Sequence, residues 1–137
     1  MTTAARRGKR TAQRKSKRRT RALIRIKRAY DPPARNDGTR ILVDRLWPRG
    51  LAKAELKLDG WAKELAPSHA LRRWYGHQPE HFAEFRRRYL AELEGERERL
   101  DELRAAVRGR TVTLLTATRE LDLSHATVLR EVLQAKG

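Results

Sequence analysis

The residue types best suited to binding an anion come directly after two strand-like segments of this 137-residue chain. An arginine guanidinium can bind a phosphate or carboxylate through two parallel hydrogen bonds, and a histidine can donate to the same anion or exchange a proton with it. Open α/β sheets bind ligands beyond the carboxyl ends of their strands, where such side chains converge if the strands are parallel neighbours. The sequence therefore predicts a ligand-binding site made of Asp44, Arg45, Arg49, Thr116, Arg119 and His125.

A purely structural role is the alternative for the same residues. Asp44 can fasten the turn that follows it, and Trp47 can fill the core, as large aromatic side chains commonly do. His125, close to the start of a helix, can satisfy a backbone carbonyl. The residue pattern leaves both interpretations open. It identifies no reaction, so whether the chain is an enzyme stays undecided.

A second basic cluster consists of Arg72, Arg73 and His77, interleaved with Trp74 and Tyr75. Basic residues alternating with aromatic ones are typical of surfaces on which the bases of single-stranded nucleic acids stack. On a helix, however, Trp74 lies three residues from Leu71, and burial of both in the core explains that spacing more simply.

Several kinds of site are excluded by what the sequence lacks. The chain has no cysteine, which excludes a disulfide scaffold, a zinc–cysteine site, a thiolate nucleophile and a redox pair. It has no glycine-rich phosphate loop, metalloprotease motif or nucleophile elbow, and its four histidines are too scattered to form a metal site. No stretch reaches the roughly 18 apolar residues that a membrane-spanning helix needs. We therefore predict no metal, no cofactor and no membrane partner.

The positive charge of the chain is concentrated in its first 21 residues. The formal net charge is +16, yet residues 22–137 contribute only +6 of it. Residues 1–21 contain no acidic or aromatic residue and no leucine, isoleucine or valine. Because such a segment cannot bury enough apolar surface to offset its ordering entropy, we predict a disordered basic tail over 1–21.

A basic tail of this composition releases counterions from any polyanion that it meets, which results in salt-sensitive binding to DNA or RNA without sequence preference. The alternative is a solvated tail with no specific role. The residues predicted to contact nucleic acid are Arg6, Arg7, Lys9, Arg10, Arg14, Lys15, Lys17, Arg18, Arg19 and Arg21.

Three strand-like segments and four helical segments must position these side chains. Runs of β-branched and other apolar residues predict strands over 23–28, 40–44 and 111–116. Helices are predicted over 60–65 with Asp59 as N-cap, over 69–75 with Ser68 as N-cap, over 79–107, and from the N-cap Ser124 onward. Gly95 is a weak point at which the long helix is expected to bend or divide.

The order strand, strand, helices, strand, helix indicates one small α/β domain over 22–137. The helical segment between the second and third strands is long enough for a right-handed crossover between parallel neighbours. Only about eleven residues separate the first two strands, which leaves the direction of the first strand open. We predict a three-layer, Rossmann-like fold with a short, mostly parallel sheet covered by helices and preceded by the basic tail.

Several uncommon motifs occur in a fixed order along the chain. They are Tyr30-Asp31-Pro32-Pro33, Leu42-Val43-Asp44-Arg45-Leu46-Trp47-Pro48-Arg49-Gly50, Leu71-Arg72-Arg73-Trp74-Tyr75-Gly76-His77 and Phe85-Arg86-Arg87-Arg88-Tyr89. In these motifs the chain resembles the YeaO-like proteins, a branch of the domain-of-unknown-function family DUF-488, from about residue 23 to about residue 133. The resemblance implies a small bacterial cytoplasmic protein with no established activity.

The start of the last helix departs from the pattern of that family. Longer relatives often have a cysteine at the end of the last strand and a Cys-His-Arg step at the helix, and the YeaO-like branch typically has Asn-His-Ala. This chain has Ser124-His125-Ala126. It therefore lacks the thiol on which any thiol-dependent role of the longer relatives would rest. A smaller departure is Thr39, where the branch tends to have tyrosine.

Three functions are compatible with these observations. The first is a ligand-binding or weakly catalytic domain whose partner is a small anion at the predicted site. The second is a nucleic-acid-associated protein whose basic tail supplies the affinity. The third is a scaffold that binds another protein through its long charged helix. The fold class does not choose among them, and the sequence leaves the oligomeric state open.

Overall fold

The structure, a computed structural model, describes residues 23–135. The disordered tail predicted over 1–21, with all ten of its basic residues, lies outside the described residues. Within the described residues, no helix is long and apolar enough to cross a membrane.

A four-stranded parallel sheet forms the centre of the described part of the chain. Its strands are β1 (Leu23–Arg28), β2 (Thr39–Leu42), β3 (Gly60–Trp61) and β4 (Thr111–Thr116), in the order β1-β4-β2-β3. All three pairs of neighbouring strands are parallel, and Ile26 and Ile41 both lie opposite Leu114 of β4. The predicted α/β class is confirmed, and the first strand, whose direction the sequence left open, runs parallel to the others.

Five helices accompany the sheet in the described residues: α1 (Lys53–Leu56), α2 (His69–Tyr75), α3 (Phe82–Glu94), α4 (Arg97–Val107) and α5 (His125–Gln134). The predicted N-cap of α2 is confirmed, because the Ser68 hydroxyl accepts a hydrogen bond from the Leu71 N–H at 3.1 Å. The long predicted helix divides at Gly95 into α3 and α4, as expected. Ser124 occupies the N-cap position of α5, but its hydroxyl donates to the Leu121 carbonyl instead of capping the helix.

The helix predicted over 60–65 is wrong. Residues Gly60–Trp61 form β3, which pairs with Ile41 and Leu42 of β2, and only the turn Lys63–Leu65 is helical, as a 3₁₀ turn. The carboxylate of Asp59, predicted as a helix cap, instead accepts a hydrogen bond from the Arg40 N–H at 2.8 Å. The open edge of β2 offers unpaired backbone groups, and pairing with them outweighs a weak local helix preference.

A connection of only ten residues, 29–38, returns the chain from the end of β1 to the start of β2 on the far side of β4. A buried ion pair fastens it: the Asp37 carboxylate lies 3.0 Å from Lys27 Nζ and 2.5 Å from Arg40 Nη1. Gly38 has φ +69°, and a Cβ at that position would lie 2.2 Å from the Thr111 carbonyl oxygen. The glycine and the ion pair therefore take the place of a crossover helix.

Alternation along the strands divides the apolar side chains between the two faces of the sheet. Val112 and Leu114 pack with the apolar sides of α2 to α5, whereas Leu115 packs with Leu56 of α1. Helices therefore cover both faces, and the predicted three-layer arrangement is confirmed. Each fully buried side chain such as Leu114 contributes about 1.5–3 kcal/mol to stability.

Candidate functional site

The carboxylate of Asp44 joins the carboxyl ends of β2 and β4. Its Oδ1 accepts a hydrogen bond at 2.7 Å from the hydroxyl of Thr116, the last residue of β4. Its Oδ2 accepts one at 2.8 Å from the backbone N–H of Ala117. The two strand ends therefore converge, and a single carboxylate holds them together.

His125, the first residue of α5, approaches the same carboxylate from the helix side. Its Nε2 atom lies 3.0 Å from the Val43 carbonyl oxygen and 3.1 Å from Asp44 Oδ1. Since a carbonyl and a carboxylate only accept hydrogen bonds, Nε2 carries a proton. The ring of Tyr89 lies edge-on to the imidazole, with 6.2 Å between the ring centroids. These contacts determine the orientation of His125 and place a proton on its Nε2 atom.

The charge of Asp44 depends on the balance of two effects. Burial acts to raise the pKa of the carboxyl, because the charged form loses solvation. The hydrogen bond and positive charge of His125, together with the bonds from Ala117 and Thr116, outweigh burial and hold the pKa of Asp44 below its ordinary value of 3.8. Asp44 is therefore ionised at neutral pH and acts as the acceptor that orients His125.

Two hydrogen bonds fix the position of the loop after β2, which carries Arg45 and Arg49. Arg45 Nη2 donates to the Ala66 carbonyl at 3.0 Å, which ties the loop to the segment before α2. The Tyr30 hydroxyl donates to the Arg49 carbonyl at 2.9 Å, which ties the loop to the end of β1. The loop therefore holds Arg45 and Arg49 at the carboxyl edge of the sheet.

Trp47, predicted to fill the core, is half-buried within this loop. Its indole N–H donates to the Leu51 carbonyl at 2.6 Å, and its ring packs edge-on against Trp61, with 5.5 Å between centroids. Trp61 in turn donates its indole N–H to the Asp44 carbonyl at 2.7 Å. The two tryptophans thus support the backbone beneath Asp44.

A cavity of about 820 Å³ opens at this edge of the sheet. Its lining includes five arginines, Arg45, Arg49, Arg72, Arg73 and Arg119, and three histidines, His69, His77 and His125. The acidic lining residues are Asp44 and Glu120. Because the charge of Asp44 is already engaged by His125, Thr116 and Ala117, the lining carries an excess of positive charge.

Apolar side chains form much of the remaining lining: Leu46, Pro48, Ala66, Pro67, Tyr75, Phe85 and Leu123. Tyr75 and Phe85 are buried and stacked, with 4.4 Å between ring centroids, so they form a rigid part of the wall. Leu46 differs from them, because 66% of its surface is exposed. The cavity therefore combines cationic groups with apolar surface.

The six predicted site residues have two roles in the structure: three support the strand ends, and three present guanidinium groups to the cavity. Arg45, Arg49 and Arg119 line the cavity, as do Asp44 and His125. Thr116 is completely buried and is not among the described residues that line the cavity. The structural interpretation fits Asp44, Thr116 and His125, which bond to one another and to the backbone. The three arginines carry the chemistry of the lining.

The second basic cluster lines the same cavity, a link that the sequence does not indicate. Arg72 and Arg73 line it from α2, and His77 lines it from the turn after α2. The hydrogen bond from Arg45 to Ala66 brings the start of α2 beside the strand ends. No spacing in the sequence signals this contact, because it joins residues 21 positions apart.

Trp74 is not among the described residues that line the cavity. The expectation that it is buried beside Leu71 is wrong, since 37% of its surface is exposed while Leu71 is buried. Its ring stacks on the imidazole of His81 at 4.8 Å and is covered by the Arg88 guanidinium at 4.3 Å. Trp74 therefore connects α2 to α3 and is already engaged by neighbours of its own chain.

In the part of the chain that the structure describes, no group of three or more His, Asp or Glu side chains could hold a metal ion. The three cavity histidines come from separate elements, with His69 at the start of α2, His77 after it and His125 at the start of α5. Guanidinium and imidazole groups make up most of the polar part of the lining, and such donors suit an anion.

Residues 23–136 match the sequence model of a family described as the inactive DUF488-N3 subclade. The chain is 44% identical over 113 residues to the uncharacterised protein Rv3073c of Mycobacterium tuberculosis strain H37Rv. The aligned residues cover 82% of this chain and 95% of that protein. It is 42% identical over 112 residues to the uncharacterised protein YeaO of Escherichia coli strain K12, and the aligned residues cover 82% of this chain and 97% of that protein. No solved structure matches the chain.

Proposed function

Because the chain belongs to the inactive DUF488-N3 subclade, we propose that it binds a small anionic ligand at the carboxyl edge of its sheet without converting it. The resemblance to YeaO-like proteins is confirmed by this membership and by the identity to the Escherichia coli protein. The observation that carries the proposal is a cavity of about 820 Å³ lined by five arginines at the strand ends. Open α/β sheets bind their ligands at that edge.

The charge balance of the cavity favours an anion over a neutral or cationic ligand. Arg49, Arg73 and Arg119 are exposed, and their side chains make no hydrogen bond to any other described residue. Among the described lining residues, Glu120 alone opposes them, because the Asp44 carboxylate is engaged by His125 and β4. A bound oxyanion would accept charge-assisted hydrogen bonds from these guanidinium groups.

Two further arginines of the lining have unused hydrogen-bonding capacity. The Nε atoms of Arg45 and Arg72 are buried and have no hydrogen-bond partner among the described residues. A buried donor without a partner costs about 1–3 kcal/mol. A small rotation of either guanidinium towards a bound oxyanion would supply the missing acceptor and remove that cost.

The Asp44–His125 pair favours binding over turnover. His125 is buried, and its Nε2 proton is shared between the Val43 carbonyl and the Asp44 carboxylate. The pair therefore positions the start of α5 and the end of β2 around the cavity. The absence of cysteine from the chain removes a thiolate nucleophile as well.

The proposal can be tested with ribose 5-phosphate and citrate as anionic probes. Either probe should raise the Tm of the full-length protein in a thermal-shift measurement and bind in calorimetry. The double variant Arg73→Ala/Arg119→Ala should bind about tenfold or more weakly, because it removes two charge-assisted contacts from exposed positions. The control Arg108→Ala/Arg110→Ala removes the same charge from exposed residues outside the lining and should bind as the wild type does. Equal weakening in both double variants would contradict the proposed site.

A second candidate function concerns the basic tail. Its ten basic residues and lack of any acidic residue favour salt-sensitive association with DNA or RNA, independent of the cavity. A cytoplasmic location is part of our proposal and is supported by the family resemblance alone.

A further inference from the structure

The mixed lining of the cavity indicates the class of its ligand. We propose that the ligand is a phosphate ester carrying a flat, unsaturated ring, a class that a nucleoside 5′-monophosphate represents. This inference rests on the proposed function, because it names the chemistry that the same cavity would accept. It depends on the size of the cavity, the number of its arginines and the position of its exposed apolar side chains.

The size of the cavity favours an organic ligand over a lone inorganic anion. Its volume of about 820 Å³ falls within the roughly 300–1,000 Å³ typical of sites for organic molecules. Inorganic phosphate would leave most of that space to water. The ligand therefore has an organic body in addition to its anionic group.

The number of arginines favours a phosphate ester over a single carboxylate. Arg45 from the loop after β2, Arg72 and Arg73 from α2, and Arg119 from the loop after β4 reach the cavity from three segments. A phosphate monoester carries close to two negative charges and three acceptor oxygens, so it can engage several guanidinium groups at once. A carboxylate has only two oxygens and one charge, and it would leave part of this positive charge uncompensated.

The exposed apolar side chains of the lining favour a flat ring as the organic body. Leu46 and Tyr30 line the cavity with 66% and 41% of their surfaces exposed, so both offer accessible surface to a ligand. The hydrogen bond from Tyr30 to the Arg49 carbonyl brings its ring to the same loop that carries Leu46. A planar ring bound there would contact the leucine and the part of the tyrosine ring that the Arg28 guanidinium, 5.5 Å from the ring centroid, does not cover.

Different segments of the chain would hold the two ends of the ligand. Leu46 and Tyr30 belong to the loop after β2 and to the segment after β1, whereas Arg72 and Arg73 belong to α2. With the phosphate held by the α2 arginines and the ring at Leu46, a linker joins the two groups. The sugar of a nucleotide is such a linker.

Calorimetry with the full-length protein tests this inference through three matched probes. Adenosine 5′-monophosphate should bind about tenfold more tightly than ribose 5-phosphate, which has the same phosphate and sugar but lacks the flat base. Adenosine, which has the ring and sugar but no phosphate, should bind more weakly than adenosine 5′-monophosphate by at least that factor. If ribose 5-phosphate binds as tightly as the nucleotide, the inference is overturned while the proposed anion site stands. If neither phosphate binds, the proposed function fails first.

Two leucine variants locate the ring. Leu46→Ser should reduce the advantage of adenosine 5′-monophosphate over ribose 5-phosphate to about threefold or less, because it removes apolar contact area from the ring. Its effect on the affinity for ribose 5-phosphate should be smaller than its effect on the affinity for the nucleotide. Leu23→Ser changes another exposed leucine, 54% exposed and outside the lining, and should affect neither affinity. An unchanged nucleotide advantage in Leu46→Ser would overturn the inference.

Discussion

The imidazole of His125 shares its Nε2 proton between the Asp44 carboxylate, at 3.1 Å, and the Val43 carbonyl, at 3.0 Å. His125 lies 82 positions after Val43 in the sequence. Asp44 also binds the Thr116 hydroxyl and the Ala117 N–H. One carboxylate thus holds the end of β2, the end of β4 and the start of α5 together. The same three segments contribute lining to the cavity, so its shape depends on this carboxylate.

Replacing Asp44 with asparagine should lower the free energy of unfolding by about 2–3 kcal/mol at pH 7. The amide group loses the charge that attracts His125, and its NH₂ presents a donor where three donors already point. Equilibrium unfolding in urea measures the difference. Asp122→Asn, an exposed site, is the control and should change stability by no more than about 0.5 kcal/mol.

The effect of Asp44→Asn should also depend on pH. The folded protein holds the pKa of Asp44 below 3.8, so the ionised carboxylate stabilises the fold above the unfolded-state pKa. This contribution is lost as the pH falls through the lower folded-state pKa. The difference in stability between wild type and variant should therefore be full above about pH 5 and shrink below about pH 4. Urea unfolding from neutral to acidic pH tests this, and a difference that stays constant throughout would contradict it.

Arg45 and Arg49 should differ in what they contribute. Arg45→Ala removes the donor to the Ala66 carbonyl, so we expect a loss of about 1–2 kcal/mol in stability as well as weaker binding of ribose 5-phosphate. Arg49→Ala removes an exposed side chain that bonds to no other described residue, so it should weaken binding at unchanged stability. Urea unfolding and calorimetry on both variants separate the two effects. Equal stability of the two variants would show that the Arg45–Ala66 bond contributes little.

Gly38 should tolerate no side chain. Gly38→Ala places a Cβ against the Thr111 carbonyl and imposes the strain of φ +69° on alanine, so we expect a loss of more than about 3 kcal/mol. Gly50 has a similar positive φ of +85° but no atom within 4 Å of the added Cβ. Gly50→Ala should therefore cost only about 1 kcal/mol. Thermal and urea unfolding compare the pair, and similar losses would mean that strain, not the close approach to β4, dominates.

The basic tail should supply any affinity of the chain for nucleic acid. Binding to duplex DNA should weaken at least about tenfold between about 50 and 200 mM salt, because counterions are released on binding. Deletion of residues 1–21 should remove most of this affinity, whereas Arg73→Ala/Arg119→Ala should change it by no more than about twofold. Fluorescence anisotropy with a labelled duplex measures both. Salt-insensitive binding, or full affinity without the tail, would contradict the second candidate function.

Local patterns in the sequence predicted the elements whose residues act on their near neighbours. Strands β1 and β4 have the predicted bounds, because their β-branched and apolar residues alternate along each segment. The Ser68 cap and the break at Gly95 follow from hydrogen bonds and backbone freedom within one turn of helix. The short strand β3 could not be predicted in this way, since its two residues are stabilised by pairing with β2 and not by their own preference.

The sequence by itself determined the α/β class, the family and the two polar strand ends, because composition, alternation and motifs are properties of nearby residues. Only the tertiary structure decided how the candidate site is divided. In the structure, Asp44, Thr116 and His125 bond to one another and support the strand ends. The arginines of α2 line the same cavity as those of the strand ends. Hydrogen bonds between residues 21 to 82 positions apart create that arrangement, and no local pattern encodes which distant partner a buried polar group will find.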